Sequence, residues 1–222
     1  FIIMLSGTFS GIFLPKAAEM VARKDRQAIE NFAYKWTRLT TIVVCTLCFP
    51  FIIGGKDALS AYVGPQYENL TIWLIIWVLT VLWQMHTTPG NALVLSYGKT
   101  RLLVIVTAID CVISMVLNAF LCKYLGVGSA IVAYSLYVLV IIGLYYVSFY
   151  KKLLGLSRIK LFLDFIKPTI VAFISFGICY LIPFNELSFW HNNRMYYIVM
   201  FVIKSVVWFI PYAAMLFGFK LL

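Results

Sequence analysis

Long apolar runs alternate with short polar ones from one end of the chain to the other. Seven apolar segments stand out, at 1–14, 39–55, 70–93, 102–121, 126–150, 168–183 and 195–219. A helix needs about 20 apolar residues to cross the hydrocarbon core of a bilayer. Most of the segments meet that length, and the sixth meets it only by drawing on its flanks. The runs are continuous rather than alternating in two-residue steps, which excludes a transmembrane β-barrel. The pattern predicts an all-α integral membrane protein with about seven transmembrane helices.

Composition supports this expectation. Of 222 residues 63% are hydrophobic and 12% charged, with a mean hydropathy of +0.96. Soluble domains carry about 25% charged residues, so this chain has too little polar surface to cover a water-soluble fold. The first residue is Phe1, inside an apolar run. The chain is therefore expected to be a piece of a longer protein.

Charge adds orientation. The net charge is +10, and the basic residues fall in the short connections between apolar runs, where membrane topology rather than nucleic-acid binding accounts for them. Assigning every second connection to the cytoplasm places fourteen Lys and Arg inside and three outside, with Lys204 alone within a span. Cytoplasmic loops are the ones enriched in these residues. The chain is thus expected to start on the external side and to end, at Lys220, in the cytoplasm.

The stretch 11–38 is the most polar part and holds six of the eighteen basic residues. Pro15 can open a new helix, where its missing N–H costs nothing. Ala18, Val21, Ala22, Ile29, Phe32, Ala33 and Trp36 then recur at helical spacing, interrupted at Asp25. That predicts an amphipathic helix on the cytoplasmic membrane surface; a solvated linker between two spans is the alternative.

Few residues carry candidate chemistry. Asp110 lies about 12 Å into its span at 1.5 Å per residue, and Lys204 about 13 Å into the last. Intramembrane charges face a cavity or a partner. Either the two neutralise each other, or Asp110 faces a cavity and binds a proton or cation while Lys204 snorkels. Gln84, His86, Thr87, Thr88 and Asn91 cluster around Pro89-Gly90, where a kink or break is expected. They form either a hinge or a ligand-contacting rim, or simply the partners of a bent helix. Asn118 is expected to make an interhelical hydrogen bond. Ser6, Gly7, Ser10 and Gly11 form a small-residue face suited to close helix packing. Cys45 and Cys48 form a C-x-x-C between apolar flanks without a second cysteine pair, and read as small buried hydrophobes. No metal site or catalytic constellation is expected, so the chain is read as a non-enzyme.

Several motifs in order resemble a known family. "IFLPKAAEMVARKDRQAIENF" is similar to the segment of polysaccharide flippases in which a span ends in Leu-Pro before a basic stretch. "FIIGGKDALSAYVGPQYEN" resembles their external loop with a Gly-x-x-Tyr element, here Gly64 and Tyr67, and "ALVLSYGKTRLL" their short Gly-Lys-x-Arg turn. "VLNAFLCKYLGVGSAIVAYSL" resembles their Asn-containing span and the Gly-rich turn that follows. The family is that of O-antigen and capsular polysaccharide transporters within the multidrug/oligosaccharidyl-lipid/polysaccharide exporter superfamily. The likeness covers roughly 7–150, the polysaccharide-biosynthesis type of membrane region, and continues over 151–222 by hydropathy alone.

The resemblance implies the C-terminal half of a two-lobed, fourteen-helix transporter in the bacterial inner membrane, facing an N-terminal lobe. It implies flipping of undecaprenyl-pyrophosphate-linked oligosaccharide by alternating access, without a cofactor but with possible coupling to a proton or sodium gradient or to the membrane potential. The rim around Pro89-Gly90 would then be sugar-contacting, and Arg23, Lys24, Lys99 and Arg101 would lie at the cytoplasmic entrance, where topology alone also accounts for them. A cation-coupled multidrug exporter is the alternative within the superfamily, and a membrane polymerase or acyltransferase the alternative outside it.

Overall fold

A computed structural model describes residues 2–184, 194–219 and 221, and every regular element among them is helical. In chain order these are α1 (Ile2–Ala22), α2 (Arg26–Ile53), α3 (Gly55–Tyr62), a 3-10 turn (Pro65–Leu70), α4 (Thr71–Met85), α5 (Thr88–Ser96), α6 (Arg101–Leu125), α7 (Gly128–Leu144), a π-helical continuation of α7 (Tyr145–Leu153), α8 (Arg158–Tyr180) and α9 (Arg194–Gly218). Phe1, Glu186, His191 and Lys220 lie outside the described residues, and with them the expected 184–194 connection and both chain ends.

Among the described residues six helical stretches are long and apolar enough to cross a membrane: Arg26–Ile53, Pro65–Met85, Arg101–Leu125, Gly128–Leu153, Arg158–Tyr180 and Arg194–Gly218. The expectation was seven. The segment at 1–14 falls in α1, which is not among the six. The most informative of them is α6. Val104, Val112, Met115 and Phe120 are each more than half exposed, whereas its buried residue is Asp110. Apolar outside and acidic inside is the reverse of a water-soluble helix. The pattern is consistent with an all-α, multi-pass membrane protein, in which lipid or another protein surface covers the apolar face.

Several boundaries differ from the sequence expectation. Pro15 does not open a helix but lies inside α1, and Pro168 lies inside α8 rather than at its start. Each proline removes one i→i−4 hydrogen bond, a loss that an apolar helix tolerates when its neighbours re-satisfy the freed groups. The real start signal of α8 is Ser157, whose Oγ accepts a hydrogen bond from the Lys160 N–H at 3.4 Å; a serine there satisfies an otherwise orphaned donor. Accordingly, Arg158, Lys160 and Lys167 are helical and not in a loop.

The polar stretch 11–38 is not a separate surface helix. It is the end of α1, a tight turn and the start of α2. On α1 the buried face is Phe13, Ala17 and Met20, while the expected Ala18 and Ala22 are exposed. On α2 the expected Ile29, Phe32 and Ala33 are buried. At the turn, Asp25 N–H donates to the Met20 carbonyl at 3.2 Å and Lys24 N–H to that of Val21 at 3.1 Å, with Lys24 at φ 54°. This pair of bonds around a left-handed residue is a Schellman C-cap. Asp25 Oδ1 then accepts the Ala28 N–H at 2.9 Å, capping α2. The left-handed conformation costs a non-glycine residue about 1 kcal/mol. Lys24→Gly is therefore expected to raise the unfolding free energy by about 1 kcal/mol, measured by reversible denaturation in detergent; a lower stability would contradict the cap assignment.

The described residues pack as two compact units, 1–40 with 80–165 and 41–79 with 166–222. In the first, α1 packs on α5 and α6 on α7. Its core joins Phe13, Phe32, Leu93, Phe149, Tyr150 and Leu161, all at most 5% exposed. Gly90 lets α5 approach the π-helix, since a Cβ there would lie 2.5 Å from the Tyr150 ring. In the second unit, α3 packs on α9. Trp208 is fully buried, stacks between Phe49 and Tyr212 and donates its indole N–H to the Ala172 carbonyl at 3.2 Å. Cys45, Cys48 and Cys179 are buried free thiols, whereas Cys111 and Cys122 are exposed.

Candidate functional site: a polar cavity at a broken helix

Pro89 has no N–H to offer the Met85 carbonyl, and the helix breaks just before it. α4 ends at Met85 and α5 starts at Thr88, with Pro89 in its first turn. The freed carbonyls are met from the side. The Nδ1–H of His86 donates to the Trp83 carbonyl, and the Thr87 hydroxyl to that of Gln84 at 2.8 Å. With Nδ1 donating, His86 Nε2 accepts from the Tyr146 hydroxyl at 3.2 Å, while the ring stacks on Phe165 at 4.3 Å. His86 is 1% exposed. It is thus a structural partner of the break and not open to a ligand. No group of three potential metal ligands occurs among the described residues.

The break opens a cavity of about 220 Å³ lined by Gln84, Thr87, Thr88, Asn91, Thr107, Tyr137 and Tyr145 together with Leu103 and Ile141. Its polar lining is neutral. The Tyr134 hydroxyl donates to Gln84 Oε1, and the Tyr145 hydroxyl to Asn91 Oδ1 at 2.7 Å. With both amide oxygens committed, the two amide NH2 groups remain as donors toward a ligand. Tyr134, Tyr137 and Tyr145 were missed by the sequence reading. The signal was present, as tyrosines at helical spacing in an otherwise aliphatic run.

Asp110 lies one helical turn beyond Thr107 on α6 and is 3% exposed. Its Oδ2 and the Oγ of Ser114, four residues on, are buried without a hydrogen-bond partner among the described residues. Tyr137 is hydrogen-bonded to Thr107, one turn before Asp110. It also borders a second cavity, of about 290 Å³, with Ser114, Asn118 and Tyr134. The expected interhelical bond of Asn118 is present. The Ser129 hydroxyl lies 2.7 Å from both Asn118 Oδ1 and the Gly126 carbonyl, so one donor is shared. It fixes α6 to α7 beside Gly126, whose φ of 52° and ψ of −125° favour glycine.

Lys204 finds its counter-ion within its own unit. Lys204 Nζ donates to Asp57 Oδ2 on α3 at 2.5 Å, with 18% and 10% of the two side chains exposed. α3, in what the sequence reads as an external loop, supplies the acid to α9. Arg23 and Lys24 take local roles, Arg23 in an exposed ion pair with Glu19 at 2.7 Å and Lys24 in the helix cap. Lys99 and Arg101 do share a groove, with Lys152. The side chains of Ser6, Gly7 and Ser10 lie outside the description; a Cβ on Gly11 would meet nothing within 4 Å, so no described neighbour packs on it. Comparison of the chain with family profiles, with curated proteins and with solved structures finds no match.

Proposed function

We propose that this chain is the C-terminal lobe of a fourteen-helix flippase that moves undecaprenyl-pyrophosphate-linked oligosaccharide units to the outer leaflet of a bacterial cytoplasmic membrane. In this reading the basic connections face the cytoplasm and the product feeds O-antigen or capsule synthesis. The observation that carries it is the neutral polar cavity at the broken helix. Amides, hydroxyls and tyrosine rings suit the hydroxyls and apolar faces of a sugar, and they sit among helices otherwise apolar. Unwound or broken helices lining a cavity are also where transporters place their substrates. A cavity of 220 Å³ is sized for part of a glycan, a subsite within a larger path. The four motifs described above add the family reading.

Asp110 would serve coupling. Its carboxylate has no cation beside it among the described ion pairs, and a proton or sodium ion from solution would supply the missing charge.

Replacing Gln84 and Asn91 together by leucine in the full-length protein is expected to cut translocation at least about tenfold, the scale of losing two hydrogen bonds of roughly 1 kcal/mol each. Lipid-linked repeat units should collect on the cytoplasmic face while membrane protein levels stay normal. Unchanged surface polysaccharide in that variant would remove the cavity from the transport path. A cation-coupled multidrug exporter is the second reading, favoured by Asp110 alone, and it predicts altered drug susceptibility with normal surface polysaccharide.

A further inference from the structure

A larger cavity lies away from the polar break. A groove of about 820 Å³ runs between the start of α6 and the π-helix. Three cations line it, Lys99 and Arg101 from the α5–α6 connection and Lys152 from the π-helix, and none of them forms an ion pair among the described residues. Apolar side chains from the same two elements complete the lining, Leu102 and Ile105 on α6 and Phe149 and Leu153 on the π-helix. Leu102 and Ile105 are 46% exposed, so the apolar part of the groove is accessible from outside the fold.

The π-helix builds this shape. Its wider turn continues α7 through Lys151 and Lys152, so that a basic residue and two apolar ones reach the groove from one element. Such local widening recurs at functional sites. The arrangement separates charge from grease as an amphiphile does.

We propose that this groove binds an anionic lipid whose headgroup carries two phosphates, of the diphosphatidylglycerol type. Three unpaired cations exceed what one phosphodiester can neutralise, and basic pockets between membrane helices suit headgroups with more than one phosphate. Apolar side chains on two elements accommodate more than one chain, whereas a single prenyl chain needs one element. The inference is independent of the transported substrate, because it concerns this groove and not the polar cavity.

The test uses the full-length protein in phosphatidylcholine vesicles doped with one probe at a time: diphosphatidylglycerol, phosphatidylglycerol, undecaprenyl diphosphate or inorganic pyrophosphate. Retention is read by native mass spectrometry after extraction, without any transport assay. Diphosphatidylglycerol is expected to bind at one per chain, at least about fivefold more tightly than phosphatidylglycerol. Each of K99Q, R101Q and K152Q should weaken it about fivefold and the triple variant roughly a hundredfold, from about 1 kcal/mol per cation at a membrane surface. K123Q, an exposed cation elsewhere on α6, should change nothing. The single variants, each with its melting temperature, keep the test valid if the triple variant misfolds. Equal retention of phosphatidylglycerol, displacement by undecaprenyl diphosphate or pyrophosphate at lower concentration, or undiminished binding by the variants would each overturn the proposal.

Discussion

Replacing Asp57 by alanine is expected to lower the stability of the folded protein by about 3 kcal/mol. The change leaves Lys204 on α9 with its ammonium largely enclosed and its partner gone. Removing one member of a buried pair typically costs about 3–5 kcal/mol, because the remaining charge stays desolvated. The residual exposure of both side chains places this case at the lower end. The ring of Phe184, its centroid 5.9 Å from Lys204 Nζ, lies at the outer edge of cation–π range and offsets only about 0.5 kcal/mol of that loss. Substituting both residues, Asp57→Leu with Lys204→Met, should return most of the loss, since an apolar pair of similar volume needs no counter-ion. Unfolding in mixed detergent micelles measures both variants. A double variant as unstable as the single one would mean that packing of α3 on α9, and not charge, is what the pair provides.

Asp110→Asn in the full-length protein is expected to reduce energised translocation to background while leaving the fold intact. Asparagine keeps the shape and hydrogen-bonding capacity but gives up the charge that would bind a coupling ion. Its Oδ2 has no partner among the described residues, so the substitution breaks no ion pair, and stability should change by less than about 1 kcal/mol. The contrast with Asp57 is the informative part: one carboxylate is tied to a lysine, the other is left open. Uptake by proteoliposomes under an imposed proton or sodium gradient reads the effect. Full gradient-driven transport by the asparagine variant would end the coupling role of Asp110.

Much of the helical layout was legible because the bilayer rule is local. Most apolar runs of sufficient length lie in one helix each, the 70–93 run is divided at Pro89 where a missing N–H acts, and the interruption at Asp25 proves to be the turn between α1 and α2. Pro15 and Pro168 show the limit of that rule. The same missing N–H is absorbed within α1 and α8, and the proline itself gives no sign of which outcome follows. The π-helix from Tyr145 to Leu153 was equally silent in sequence, its hydropathy being that of an ordinary span.

By itself the sequence determined an all-helical chain with too little polarity for water, a break at Pro89 and an acid at Asp110 with no basic neighbour along its helix. These follow from hydropathy, backbone chemistry and helical spacing, which act over a few residues. Only the tertiary structure decided which charge meets which. Lys204 finds Asp57 147 positions away, Tyr145 reaches Asn91 across 54, and Lys152 joins Lys99 and Arg101 around one groove. Coulomb attraction and hydrogen bonding depend on distance in space, and the packing of α3 on α9 and of the π-helix on α5 sets that distance.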